Sequence, residues 1–234
     1  MTGTSGVFVT GTGTEVGKTV VAATIARSLV ATGERVAVFK PAVTGLDDFP
    51  ADGPQSGQTG GSAARLRPDH VVLREAAGSA QSDAEIAPYR YGPPMSPHLA
   101  ARLAGERIAP ARLLAAARAA AEGADFLVCE GVGGLLVPLD SEYLVRDLAV
   151  DLGLPLVIAA SPGLGTINHT LLTIEAARAA GLKVASVVLT PWPQEPGEVE
   201  RSNRETIAAL GAVKVEELPH SADFSAPDSN RGRS

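Results

Sequence analysis

The sequence is poor in the features that would tie a chain together from outside its own core. One of its 234 residues is cysteine, Cys129, so neither an internal disulfide nor a cysteine metal cluster can form. That scarcity suits a reducing compartment, and a cytoplasmic protein is expected. Positive charge is not in excess. The formal net charge of −6 excludes the electrostatic footprint of a nucleic-acid or anionic-membrane binder, so an anionic ligand needs a local positive site. Apolar runs fall far short of the roughly 20 residues of a membrane span. The N-terminus has no basic segment followed by an apolar run, so no secretory leader is expected. The four histidines are scattered without metal-ligand spacing, which leaves His169 and the others a structural or surface role. Aromatic residues are only 4%, and alanine is plentiful, which predicts Ala-rich helices packed closely on a sheet.

What is present is ordinary for a globular protein, with 45% hydrophobic and 20% charged residues. The length suffices for one α/β domain, expected over residues 1–222, followed by a frayed polar tail at 223–234. Short β-branched runs read as strands at 7–10, 35–40, 125–130, 156–160 and 184–189. Between them, helices are predicted at 18–31, 111–121, 145–152, 166–180 and 198–210. Near-continuous apolar strands alternating with helices predict a doubly wound, mostly parallel sheet covered on both faces. Ligands of such folds collect at the carboxyl ends of the strands. Residues 45–61 are rich in Gly, Asp, Pro and Gln and read as a surface loop or an active-site lid.

The strongest motif is Gly11-Thr-Gly-Thr-Glu-Val-Gly17-Lys18-Thr19, between a predicted strand and a predicted helix. That is the setting a phosphate-binding loop requires, and it makes the fold P-loop NTPase-like. Backbone N–H groups of Gly13, Thr14, Glu15, Val16 and Gly17, with those of the helix start through Val20, would converge on phosphate oxygens. Lys18 would reach the terminal phosphates, and the Thr19 hydroxyl would face Mg²⁺. Five residues rather than the usual four separate Gly11 from Gly17. Partitioning ATPases carry an extra lysine where this loop has Gly13.

Glu130 closes the third predicted strand and precedes Gly131, Val132 and Gly133. A carboxylate there faces the same crevice and can hold Mg²⁺; the alternative is a solvated acid beside a turn. Lys40 ends the second strand, in an adjacent strand to that of the phosphate loop, and Pro41 stops it. Lys40 could offset anionic intermediates, with the Thr44 hydroxyl nearby, or could simply be solvated. Gly165, Thr166, Ile167 and Asn168 begin a helix whose free N–H groups would hold an anion. Capping by Thr166 or Asn168 is the simpler alternative.

Taken in order, GTGTEVGKT, KPAVTG, PYRYGPPMSPH, CEGVGGLLVPL, GLGTINHTLLT and the Trp192–Pro196 segment followed by Ser202-Asn-Arg204 resemble the dethiobiotin synthetases over roughly residues 7–221. The resemblance implies an ATP-dependent cyclo-ligase of biotin biosynthesis that closes a ureido ring. Its substrates would be 7,8-diaminononanoate, CO₂ and MgATP. It implies that Lys40, Lys18 and Thr14 serve the reacting groups and that Thr19 and Glu130 hold Mg²⁺. It places Thr44 and Pro97 on the diamine. The nucleobase would lie near Thr190, Pro191, Pro219, His220 and Ser221. The substrate carboxylate would sit at Gly165, Thr166, Ile167 and Asn168, contributed across a homodimer interface. Two departures stand out. The family supplies a further metal-directed Asp after the second strand, where the register here gives Thr59; Asp47, Asp48 and Asp52 lie upstream. Thr190 replaces an adenine-reading Asn of some members, which leaves other nucleoside triphosphates open. Competing readings are a partitioning or regulatory ATPase and a nucleotide-binding pseudoenzyme. An amidating synthetase would need a nucleophilic cysteine, and Cys129 falls inside a predicted strand.

Overall fold

The computed structural model describes residues 5–49 and 67–219. Six parallel strands form the central sheet: β1 (Ser5–Gly11), β2 (Val36–Phe39), β3 (Phe126–Gly134), β6 (Leu156–Ala160), β7 (Val184–Trp192) and β8 (Lys214–Pro219). Their spatial order is β2-β3-β1-β6-β7-β8. A separate antiparallel pair joins β4 (Pro138–Asp140) to β5 (Tyr143–Leu144). The helices are α1 (Lys18–Ala31), α2 (Asp69–Ala76), α3 (Asp83–Ile86), α4 (Pro97–Leu103), α5 (Pro110–Ala121), α6 (Val145–Leu152), α7 (Thr166–Ala179) and α8 (Glu198–Gly211). Among the described residues no helix is long and apolar enough to cross a membrane.

Strand parity sorts the side chains. On one face Val9, Val38 and Val128 pack with Val21, Ala22 and Ala26 of α1. On the other, Phe8, Phe39, Leu127 and Cys129 pack with Leu113 of α5 and Leu148 of α6. Successive residues point to opposite faces, so both faces are apolar and the strands read as continuous hydrophobic runs. Ala22, Ala23 and Ala26 are completely buried, and their small side chains let α1 lie close on the sheet.

Parity also positions the polar groups. Phe39 and Phe8 are both in register with Cys129. The next residues, Lys40 and Glu130, therefore stand level at the carboxyl edge and turn to the α1 face. The adjacency expected for Lys40 is corrected here, because β3 lies between β2 and β1. Lys40 meets the phosphate loop only across the end of β3. The third strand also does not end at Glu130. Val9 pairs with Glu130 and Gly11 with Gly134, so two steps along β1 match four along β3. The two extra residues form a bulge, which bends the strand and re-aims the residues beyond it. The predicted helices 18–31 and 145–152 and the strand 156–160 coincide with α1, α6 and β6. The short helices α2 to α4, the β4–β5 pair and β8 had no counterpart in the sequence pattern. Residues 50–61 of the expected lid, the tail 223–234, and Asp52, Thr59, His220 and Ser221 lie outside the described residues.

Candidate functional site

The segment from Thr12 to Gly17 wraps the carboxyl end of β1. The Thr12 N–H donates to the Ala159 carbonyl at 3.0 Å, which ties the loop to β6. Glu15 has φ 59° and Gly17 φ 84°, left-handed conformations that turn the chain tightly before α1. A Cβ on Gly17 would lie 2.6 Å from the Thr190 Cγ2, so only glycine fits against β7 there. Val16 packs beneath the loop, where a Cβ on Gly11 would meet its Cγ2 at 2.7 Å. Lys18 is largely buried, and its Nζ donates to the Gly13 carbonyl at 2.7 Å. Burial lowers the Lys18 pKa, and nearby Lys40 lowers it too, while Glu130 opposes the shift.

Beside this loop sits a buried charge cluster. The Lys40 Nζ is 2.7 Å from Glu130 Oε1 and 2.9 Å from Asp69 Oδ2. The Thr19 hydroxyl donates to the same Glu130 Oε1 at 2.9 Å. Glu130 Oε2 is fully buried and has no hydrogen-bond partner among the described residues. Burial works against the Lys40 charge, but Asp69 and Glu130 outweigh it and hold its pKa above the usual lysine value. Burial raises the Glu130 pKa, with Lys40 pulling the other way. Burial pushes the Asp69 pKa up too, but Lys40 more than reverses that, leaving it lowered.

Asp69 is a functional candidate that sequence reasoning missed; Thr59, where the register put this role, lies outside the described residues. The length of the segment after Val43 disguised it. The available signal was Pro68-Asp69, the start of a helix, where proline and an acidic residue are favoured. Of the upstream carboxylates, Asp48 lines a second cleft and Asp47 lies over Gly92.

These elements enclose a cleft of about 360 Å³. The first loop and helix contribute Thr14, Glu15, Gly17, Lys18, Thr19 and Val20; Lys40, Thr44 and Asp69 face them. Glu130, Val132 and Gly133 close the floor, and the Gly131 carbonyl lies 3.4 Å from Lys40 Nζ. A second cleft of about 480 Å³ shares Thr14, Glu15, Thr44, Asp69, Val132 and Gly133 and continues to Pro97. Gly13 instead lines a third cleft of about 470 Å³, on the α7 side of the loop.

The remaining candidates stand apart. Thr190 is buried against Gly17, Pro191 is exposed next to it, and Pro219 pairs with Trp192 at the far strand. Gly165, Thr166, Ile167 and Asn168 do not join the two shared clefts. The capping alternative is corrected. Gly165 is the N-cap with φ 89°, no side chain caps α7, and the Thr166 hydroxyl pairs with that of Thr170 at 3.3 Å. Among the described residues, the first N–H groups of α7 therefore have no side-chain acceptor.

Two lysines, an uncapped helix start and two carboxylates within one cleft suit a polyanion that brings a divalent cation. Glu130 Oε2, Asp69 and Thr19 are hard oxygen donors, and the unpartnered Oε2 is the observation that fits a cation here.

Residues 5–227 match a family described as an AAA domain. The ATP-dependent dethiobiotin synthetase of Anaeromyxobacter dehalogenans is 42% identical, over 88% of this chain and 85% of its own length. That of Bacillus subtilis is 33% identical, over 90% of this chain and 84% of its own length. A ParA family ATPase from Chlorobium tepidum superposes with TM-score 0.51 at 14% identity, covering 92% of this chain and 85% of that one, which shows the fold alone. The phosphate loop, the lysine and carboxylates across from it, and this similarity along most of the sequence agree: the chain belongs to the dethiobiotin synthetase family.

Proposed function

We propose that this chain is a cytoplasmic, ATP-dependent cyclo-ligase that makes dethiobiotin from 7,8-diaminononanoate and CO₂. One amine captures CO₂ and releases a proton, giving a carbamate. A carbamate oxygen attacks the γ-phosphorus and ADP leaves, forming a carbamic-phosphoric anhydride. The second amine attacks the carbonyl carbon, phosphate leaves with that oxygen, and the ureido ring closes. The observation that carries the reading is the meeting of Lys18, Lys40 and two carboxylates at the phosphate loop, beside a second cleft large enough for the diamine.

The residues divide the chemistry among them. The loop N–H groups from Gly13 to Thr19 cradle the phosphates, and the helix start lends them positive potential. Lys18 leaves its Gly13 acceptor to follow the terminal phosphate. Lys40, kept charged by its two carboxylates, offsets the carbamate and the transferring phosphoryl group. Thr14 and Thr44 donate hydrogen bonds at the join of the two clefts. Mg²⁺, when bound by Thr19, Glu130 and Asp69, would neutralise charge on the β- and γ-phosphates. The nucleobase would rest near Thr190, Pro191 and Pro219.

The uncapped α7 start suits the substrate carboxylate and would reach it across a homodimer interface. Leu164, beside it, is 99% exposed, and Leu136 and Leu172 expose apolar surface along the third cleft. The test is ADP formation by the purified chain. It should need the diamine, bicarbonate and Mg²⁺ together. ADP release that ignores the diamine would overturn the reading.

A further inference from the structure

The second cleft has a composition that the phosphate chemistry does not use. Its wall away from the phosphate loop is apolar, built by Val43, Phe49, Met95, Pro97 and Val137. Among the described residues, its charged lining consists of Glu15, Asp48 and Asp69, with no lysine or arginine. Asp69 is already engaged by Lys40 at 2.9 Å. Asp48 is different, because its carboxylate makes no ion pair or side-chain hydrogen bond among the described residues.

The position of Asp48 is nonetheless fixed. It ends a one-turn 3₁₀ helix, Leu46–Asp48, entered through Gly45 at φ 81°. The backbone just before it is stitched to the opposite wall. Gly45 N–H donates to the Pro93 carbonyl at 3.1 Å, Leu46 N–H to Tyr91 at 3.2 Å and Asp47 N–H to Gly92 at 3.0 Å. This pairing fixes the backbone from which the exposed Asp48 side chain extends, and so the place where it meets the cleft. The cleft also opens into the phosphate site, with which it shares Thr14, Thr44 and Gly133.

We propose that Asp48 is a specificity-determining residue of the second cleft, receiving the ammonium form of the substrate amine that is not carrying CO₂. This rests on the diamine reading above. Alkyl amines are protonated at neutral pH, so a diamine awaiting carboxylation brings positive charge into this space. The apolar wall takes the hydrocarbon chain. Asp48 takes the charge that Asp69, committed to Lys40, does not. Selection for two amines over one amine and a hydroxyl follows, because a neutral hydroxyl gains less from a carboxylate than an ammonium does.

Asp47 supplies the control, since it loses the same charge from the same turn but does not line the cleft. Asp48→Asn should raise KM for 7,8-diaminononanoate about ten-fold, the size of one charged hydrogen bond, and leave KM for ATP within about two-fold. Asp47→Asn should leave both unchanged. The preference of Asp48→Asn for the diamine over the analogue with one amine replaced by hydroxyl should fall by a similar factor. Equal effects of the two substitutions, or a diamine KM unchanged in Asp48→Asn, overturn the assignment. A wild-type chain that turns over no diamine would instead refute the functional reading beneath it. An unchanged ATP KM reports that the variant is folded.

Discussion

Two lysines share one cleft but stand in opposite electrostatic positions. Lys18 is buried with its charge disfavoured, whereas Lys40 is held charged by Asp69 and Glu130. Replacing either by alanine should lower turnover by about 10³ or more, if each offsets charge in the transferring group as proposed. Their effects on stability should differ. Lys18→Ala is expected to change unfolding free energy by less than about 1 kcal/mol. Lys40→Ala leaves two carboxylates without their cation and should cost about 3–5 kcal/mol, as breaking a buried pair does. Urea unfolding of both variants checks this, and equal losses would contradict it. The pH dependence has a definite sign. The folded pKa of Lys40 lies above its unfolded value of 10.5, so its contribution is complete below that pH and is lost as pH rises through the folded value. The stability gap between wild type and Lys40→Met should therefore stay level from about pH 7 to about pH 10 and narrow only above that. Narrowing already near neutrality would show that Lys40 is not held charged as described.

At the scale of elements, the site depends on how loops leave three neighbouring strands. The join of the phosphate loop to α1 depends on Gly17, which has a left-handed backbone and lies against Thr190. Gly17→Ala should abolish measurable nucleotide binding by equilibrium dialysis and lower the melting temperature. Adding Thr190→Ser removes the methyl group but not the backbone strain, so it should restore only part of the loss. Full restoration would mean that the clash alone mattered. These elements also show what a sequence makes legible. The phosphate loop, Lys40 and Glu130 could be read because each follows a β-branched run whose parity and end are visible in the residues. Asp69 could not, because its place at the start of α2 is set by the packing of α2 on α1, a contact between segments far apart in the chain. The β3 bulge was hidden because register is set by the neighbouring strand. The level approach of Lys40 to Glu130 required the β2-β3-β1 order, which a linear pattern does not carry. Asp48 was legible only as a distant substitute for a metal ligand. Its actual setting comes from pairing with residues 91–93, a contact between segments far apart in the chain.

At the scale of the molecule, one copy holds the clefts proposed for the phosphates and the diamine, but its uncapped α7 start stands apart from both. A homodimer would complete that arrangement, as proposed above. Light scattering at micromolar concentration should give twice the mass of one chain. Leu164→Asp should shift the species to monomer and weaken diamine turnover while sparing ATP binding; a fully active monomer would refute the shared site. The central claim is that a carbamate oxygen attacks the γ-phosphate held by the loop from Gly11 to Thr19, opposite Lys40. It is tested most directly by turnover with ¹⁸O-labelled CO₂ in unlabelled water, quenched before the label exchanges. The account predicts one ¹⁸O in the released phosphate and one in the ureido carbonyl. Phosphate released with no label would contradict it.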